Sequence, residues 1–380
     1  MKEIPLLVVA GEVSGDQHAG AVVRHLRRIL PEIRPFGLGG DELAAAGVEI
    51  LHHVRELAVL GFTEVLGKYF FFRRVFRRVV RECEVRKCRH ALLVDYPGFN
   101  LSLAKVLRGR GVKILYFICP QVWAWGSGRI RLMSRVIDRL LVIFPFEPDV
   151  FRHTGLRVDF VGHPLVDRMY STRDEEIRWP GHPGIALLPG SRRQEVIRNL
   201  PIMLEALELV RERIPGTGFV AAVPDHSIGR LVEEICEAHS SPPAIRIIEG
   251  RTGAVLRSAD AAMVASGTAT VEAALARCPM VIVYRTAWFT YWLGRMVISV
   301  PHLGMVNLIA GKEVCPEFVQ AQAQARKVGG AVVRILTDTA YREEMLRGLQ
   351  EVARRLGAPG AAGRAAEIIA AELRRDGGAP

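Results

Sequence analysis

The chain has 380 residues, 49% hydrophobic and 24% charged, with 51 Lys and Arg against 40 Asp and Glu for a net charge of +11. That length suffices for two domains with separate cores, and the composition is that of an ordinary globular protein. The positive excess implies an anionic partner, a phosphorylated substrate or a membrane surface ahead of nucleic acid, since no RNP-like, zinc-finger or helix-turn-helix pattern is present.

The apolar run 4–10 reads as a buried first strand, too short and too quickly followed by an acid for a signal peptide. GEVSGDQHAG (11–20) is a turn feeding a helix over about 16–30, with Ser14, Asp16 and His18 as its polar groups toward a cleft. Ser14 or Asp16 is equally suited to capping that helix. FGLGGDELAAAG (36–47) does not fit the G-x-G-x-x-G dinucleotide fingerprint. In 70–81, Phe72, Val75, Phe76, Val79 and Val80 share one helical face while Arg73, Arg74, Arg77, Arg78 and Arg81 fall on the other. That spacing predicts a core-facing helix, with interfacial membrane contact as the second reading.

Asp95 ends a buried strand (91–94), and Pro97–Gly98 forces a loop just after it. A carboxylate there suits a general base, or caps the following helix. Further strands are expected at 113–118 and 140–144, and Trp123 and Trp125 in PQVWAWGSGR are either core or the wall of a sugar or acyl site. The polar, Pro/Gly-rich stretch 170–184 reads as the join between two α/β series.

The second series begins with a strand at 185–188, then Pro189–Gly190–Ser191 and a helix start at which Ser191 and Gln194 have capping-box spacing. Arg192 and Arg193 beside a helix N-terminus oppose its dipole unless an anion offsets them, so they mark a phosphate site. Pro201 is expected to open a new helical segment. Strands follow at 219–223, 245–248, 261–264 and 280–284; such continuous apolar runs fit parallel sheets buried on both faces. After 261–264 come Ser266, Gly267, Thr268 and Thr270, with a helix opening near Ala269. Small residues and unpartnered N–H groups suit a diphosphate, with Glu272 one turn in for a ribose. Residues 286–311 are apolar and aromatic without clean periodicity; Trp288, Phe289 and Trp292 make them a wall for something greasy or a buried helix plus loop. An Ala/Gly/Arg-rich stretch closes the chain from 356. The six cysteines form no CxxC pair and read as reduced thiols of a cytoplasmic protein. No apolar run is long enough to span a bilayer.

AGEVSGDQHAG, FGLGG, LGFTEVL, VDYPGFNL, PQVWAW, FPFE, VGHPL, LLPGSRRQE, SGTATVEAAL and NLIAGKEVCPEFVQ occur in this order from about residue 10 to 320. Together they resemble the bacterial lipid-A-disaccharide synthase family. The resemblance implies an α/β chain of GT-B architecture, two doubly wound Rossmann-like domains facing a cleft. Their expected extents are 1–170 for the acceptor and base, 171–184 for the linker and 185–355 for the UDP-sugar. A helix and tail at 356–380 would pack back on the first domain.

The implied reaction joins UDP-2,3-diacylglucosamine to 2,3-diacylglucosamine 1-phosphate (lipid X), giving a β-1,6 disaccharide and UDP. Asp95, Arg192 and Asn307 match functionally important family positions, and the expected UDP contacts are Gly190, Ser191, Arg193, Ser266, Gly267, Thr268, Thr270 and Glu272. Gly98 departs from the family's usual acid. No metal or cofactor is expected, because Arg192 and Arg193 can offset the leaving diphosphate and no D-x-D anchor is present. The expected setting is the anionic cytoplasmic face of the inner membrane, bound peripherally, with a homo-oligomer left open. The alternatives are another GT-B UDP-sugar transferase, a UDP-sugar epimerase, or a non-catalytic membrane-associated binding module.

Overall fold

A computed structural model describes residues 3–58, 65–124, 126, 128–171, 177–240, 243–286 and 300–377. Its first sheet is built from β1 (Ile4–Ala10), β2 (Ile33–Gly39), β3 (Glu49–His53), β4 (His90–Val94), β5 (Lys113–Phe117), β6 (Arg139–Val142) and β7 (Arg157–Phe160). They pair in the order β3-β2-β1-β4-β5-β6-β7, every pair parallel. The second sheet holds β8 (Gly184–Leu188), β9 (Gly218–Val223), β10 (Ile245–Glu249), β11 (Ala261–Ala265), β12 (Met280–Tyr284) and β13 (Glu317–Val319). Its order is β10-β9-β8-β11-β12-β13, again all parallel. Strand order reverses between β1 and β4 and between β8 and β11, and in such sheets ligands bind outside the carboxyl ends of the strands at that reversal.

The central strands β4, β8 and β11 are buried along their whole length, which is why they read as unbroken apolar runs. Four strands escape that signal. β3, β7 and β13 lie at sheet edges and carry polar residues, as EILHH and RVDF illustrate. β2 contains Pro35, Gly37 and Gly39, which ordinarily argue against a strand. A Cβ at Gly37 would lie 1.9 Å from the Val8 carbonyl oxygen, so glycine is what lets β2 approach β1 there.

Two compact units result, Met1–Pro164 with Ala358–Pro380, and Leu165–Gly357. The first division falls upstream of the Pro/Gly-rich 170–184 stretch, because the helix Pro164–Ser171 brings Met169 against Gly253 of the second unit. In the first unit the helix Val65–Val85 buries Val75, Val79 and Val80 beneath partly buried Phe72 and Phe76, and its arginines at 73, 74, 77, 78 and 81 are exposed. The C-terminal helix Ala361–Gly377 packs on the helix Val13–Ile29 of the same unit. Buried Glu372 from that helix accepts from Arg139, whose guanidinium also grips Asp159 at 2.7 and 3.0 Å.

Two expectations for the second unit are corrected. Residues Arg193–Arg213 form one helix with Pro201 inside it, rather than two segments. The apolar residues on either side of Pro201, Leu200 and Ile202 to Leu204, are buried, and that packing offsets the hydrogen bond proline cannot donate. The capping partner of the same helix is Glu195, whose carboxylate accepts the Ser191 N–H at 3.2 Å, not Gln194. The helix starts one residue later than the Ser-x-x-Gln spacing implies, with Arg192 at the N-cap position.

Candidate functional site

In the first unit, the segments after β1 and β4 flank the reversal of strand order. Asp95 and Tyr96 follow β4 with φ of 46° and 47°, a left-handed conformation that costs each non-glycine residue of order 1 kcal/mol or more. The conformation is held from several sides. The Asp95 N–H donates to the Phe117 carbonyl at 3.0 Å. The Asp95 carbonyl accepts from the Tyr116 hydroxyl at 2.5 Å and from Asn100 Nδ2 at 2.8 Å. Gly11 completes the arrangement: a Cβ there would lie 2.1 Å from the Tyr96 ring.

Burial raises the Asp95 carboxyl above the usual aspartate range, and the nearby Glu12 charge adds to this; the Tyr96 N–H opposes it. A raised pKa on a partly buried carboxylate makes a stronger base. Among the described residues no atom lies within 4 Å of where a Gly98 Cβ would stand, so their packing does not enforce the missing acid at that position.

Asp16 is corrected. It sits inside the helix Val13–Ile29, and its carboxylate accepts from the N–H groups of Gly40, Glu42 and Leu43 at 2.6, 3.0 and 3.2 Å. Those donors open the helix Asp41–Ala45, so Asp16 ties two helices together and is buried away from any ligand. Ser14 is exposed and His18 half-buried.

Two buried titratable groups of this unit were not singled out by the sequence. Glu147, fully buried, accepts from the Ile143 and Phe144 N–H groups at 3.2 and 2.9 Å and from the Trp123 indole at 3.2 Å. Trp123 in turn lies edge-on to Phe144 and Phe146. Trp125 lies outside the described residues. Desolvation lifts the Glu147 carboxyl to about 7 despite those donors. His163 is pushed down to about 3 by burial and the nearby His18. Only their places in FPFE and VGHPL, two of the motifs that carry the family resemblance, could have drawn attention to them.

Their effects on stability have opposite signs. Glu147, raised in the folded state, contributes stability that is present below about 4.5 and lost as pH rises to about 7, about 3 kcal/mol at most. His163, depressed, contributes stability present above about 6.5 and lost as pH falls toward 3. Over pH 4.5–6.5 the two partly cancel. Glu147→Gln should therefore gain stability relative to wild type as pH rises from about 4.5 to about 7. Urea midpoints across that range measure this, and parallel profiles would count against the assignment.

In the second unit, β8 leads into Gly190 (φ 135°), and β11 into Gly267 (φ 140°), side by side at the reversal. Arg192 is 83% exposed, and its one ion pair, to Glu195 at 3.3 Å, is worth little in water. Arg193 is exposed as well. Asn199, fully buried, donates to the Pro189 carbonyl at 3.1 Å and accepts the Arg285 N–H at 2.9 Å, which fixes the turn ahead of those arginines. The helix Thr268–Leu275 starts with Gly267 as N-cap and no side-chain cap, leaving its first N–H groups open to an anion. Among the described residues nothing lies within 4 Å of where a Gly267 Cβ would stand, which leaves room for an anion there. Thr268 is exposed, and Glu272 is half-buried with its carboxyl raised by desolvation, Arg168 opposing.

Two expected contacts do not hold. Thr270 is fully buried, its hydroxyl donating to the Gly267 carbonyl at 2.8 Å, so it shapes the turn instead of meeting phosphate. Asn307 is fully buried and its amide is saturated. Nδ2 donates to the Cys315 carbonyl and to Glu317 Oε1, both at 2.7 Å, while Oδ1 accepts from Val314 and Cys315 N–H at 2.8 and 3.0 Å. It has no capacity left for a reacting atom. It acts through others: Glu317 also holds the Leu303 and Gly304 N–H groups, and the Leu303 carbonyl accepts the Ser266 hydroxyl at 2.8 Å. Asn307 is thus a positioning residue for the Ser266 loop. Trp288, Phe289 and Trp292 lie outside the described residues.

Two doubly wound parallel sheets make this a chain of the GT-B-like fold, shared by glycosyltransferases and sugar-nucleotide epimerases. A putative UDP-N-acetylglucosamine 2-epimerase from Listeria monocytogenes superposes with a TM-score of 0.65 at 13% identity, covering 98% of this chain and 96% of that one. The calicheamicin glycosyltransferase CalG4 does so at 0.61 and 18%, covering all of both chains. Sequence resolves what the fold leaves common. The profile described as lipid-A-disaccharide synthetase matches residues 6–369. Lipid-A-disaccharide synthases of Myxococcus xanthus (strain DK1622) and Syntrophus aciditrophicus (strain SB) are 41% and 40% identical, covering 96% and 95% of this chain and 96% of each relative. The chain belongs to the lipid-A-disaccharide synthase family, and it is a glycosyltransferase of lipid A biosynthesis.

Proposed function

We propose that the chain transfers 2,3-diacylglucosamine from its UDP derivative to lipid X with inversion at the anomeric carbon, Asp95 taking the proton of the attacking hydroxyl. The observation that carries this division of labour is that the candidate groups follow the strands beside each reversal. Asp95 follows β4 in the first unit; Gly190–Arg193 and Ser266–Thr268 follow β8 and β11 in the second. The transition state has oxocarbenium character, and negative charge develops on the departing diphosphate. Arg192, Arg193 and the N–H groups opening the helix Thr268–Leu275 stabilise that charge without a metal. Glu272 accepts from the ribose.

Glu272→Ala should weaken UDP binding, read by calorimetry; unchanged affinity would remove Glu272 from the nucleotide site. Arg192→Ala should lower kcat more than Glu272→Ala does, because it meets charge that appears only in the transition state. Turnover of acylated but not unacylated UDP-glucosamine separates this reading from a water-soluble transferase or an epimerase. Among the described residues no helix is long and apolar enough to cross a membrane. We place the enzyme peripherally on the anionic cytoplasmic face of the inner membrane, supported by the exposed arginine face of Val65–Val85 and by Phe70 of the same helix, 61% exposed.

A further inference from the structure

Asp95 is fixed to the end of the neighbouring strand β5. Its N–H donates to the Phe117 carbonyl at 3.0 Å, and its own carbonyl accepts the Tyr116 hydroxyl at 2.5 Å. The chain leaves β5 through Ile118 at φ 68°, a left-handed conformation that a β-branched residue adopts only where its surroundings enforce it. It then runs through Cys119 and Pro120 to Trp123. Burial raises the Cys119 thiol, and the Glu147 and Asp95 charges raise it further, so this one side chain lies within electrostatic reach of both carboxylates.

Glu147 clamps the segment after β5 to the turn after β6. Its Oε1 accepts the Trp123 indole N–H at 3.2 Å, and its Oε2 accepts the Phe144 and Ile143 N–H groups at 2.9 and 3.2 Å. Glu147 has no exposed surface, and burying an ionisable group to hold one indole is costly; an apolar side chain would fill a core without that cost. Trp123 itself is only partly buried. Phe144 and Phe146, stacked with 9° between their planes, stand at 83° and 89° to its ring. The indole is therefore fixed at its N–H and by two aromatic neighbours while part of it stays open to solvent. Phe144 also lies 5.1 Å from the His163 ring, and His163 is within electrostatic reach of half-buried His18. Side chains that follow β1, β4, β5, β6 and β7 thus gather at the carboxyl end of one parallel sheet.

We propose that Trp123 is the aromatic wall of the acceptor-sugar subsite beside Asp95, and that Glu147 is the positioning residue that fixes its ring. The proposal rests on the reading of Asp95 as the base for the acceptor hydroxyl. A pyranose carries C–H groups on its faces and hydroxyls around its rim. An indole face matches the C–H groups, and a rim hydroxyl is then presented to the carboxylate. Holding the indole in one orientation beforehand removes an ordering cost from acceptor binding.

The test is steady-state kinetics of the full chain, with lipid X varied at saturating UDP-diacylglucosamine and then the reverse, and UDP calorimetry alongside. Trp123→Ala should raise KM for lipid X about tenfold. Trp123→Phe keeps an aromatic face but loses the N–H, and should raise it about threefold. Glu147→Gln should raise it by a similar factor, because an amide cannot accept at both ends as the carboxylate does. In all three variants KM for the donor and UDP affinity should stay within about twofold. Circular dichroism checks folding, and Trp123→Phe with Glu147→Gln carries the test if Trp123→Ala does not fold. A Trp123 that only fills the core predicts lower urea midpoints with both KM values unchanged. That result, or a donor KM that rises as much as the lipid X KM, would overturn the proposal. Wild type inactive on lipid X would instead overturn the transfer reading, and the proposal with it.

Discussion

Asp95→Asn should lower kcat by roughly 10²–10⁴-fold, the range for loss of a general base. The substitution keeps size and the backbone bonds from Tyr116, Asn100 and Phe117, none of which uses the carboxylate. Folding and UDP affinity should therefore change little, and steady-state turnover with calorimetry on the same preparation checks both. Because burial and then Glu12 raise the Asp95 carboxyl, the base form is reached later than for an ordinary aspartate. The acidic limb of the kcat/KM profile should follow, and Glu12→Gln should move that limb to lower pH by removing the second cause. Near-wild-type turnover by a folded Asp95→Asn enzyme would dismiss Asp95 as the base and leave His18 to be tested.

Asn307→Ala should cost stability heavily, about 2–4 kcal/mol, because it strands the Val314 and Cys315 N–H groups and leaves Glu317 without its amide donor. UDP affinity should fall with it, since Glu317 holds Leu303 and Leu303 holds Ser266. Asn307→Asp should be worse still. It keeps both N–H bonds but turns a carboxylate oxygen toward Glu317 and the Cys315 carbonyl. Urea unfolding and UDP titration measure the two effects. A direct catalytic contact makes the opposite forecast, lost kcat at unchanged stability, and that outcome would sink the positioning role.

The sequence by itself determined the α/β class, the buried central strands and the turns that carry the candidate groups. Those features are local: β4, β8 and β11 are covered on both faces and so are written in unbroken apolar residues, and the turns carry small residues and charges in one short stretch. Edge strands β3, β7 and β13 are only partly buried, tolerate polar residues and carry no such pattern.

Tertiary structure alone decided which polar side chains are free. Asp16 reads as a group at the rim of a ligand site until Gly40, Glu42 and Leu43 are seen donating to it across at least 24 residues of chain. Asn307 looks reactive until the returning 314–317 segment fills its amide. Glu147 is one acid among many until burial beside Trp123 brings its carboxyl to about 7. Hydrogen-bond saturation and desolvation depend on what surrounds an atom in space, and residues far apart in sequence supply those surroundings.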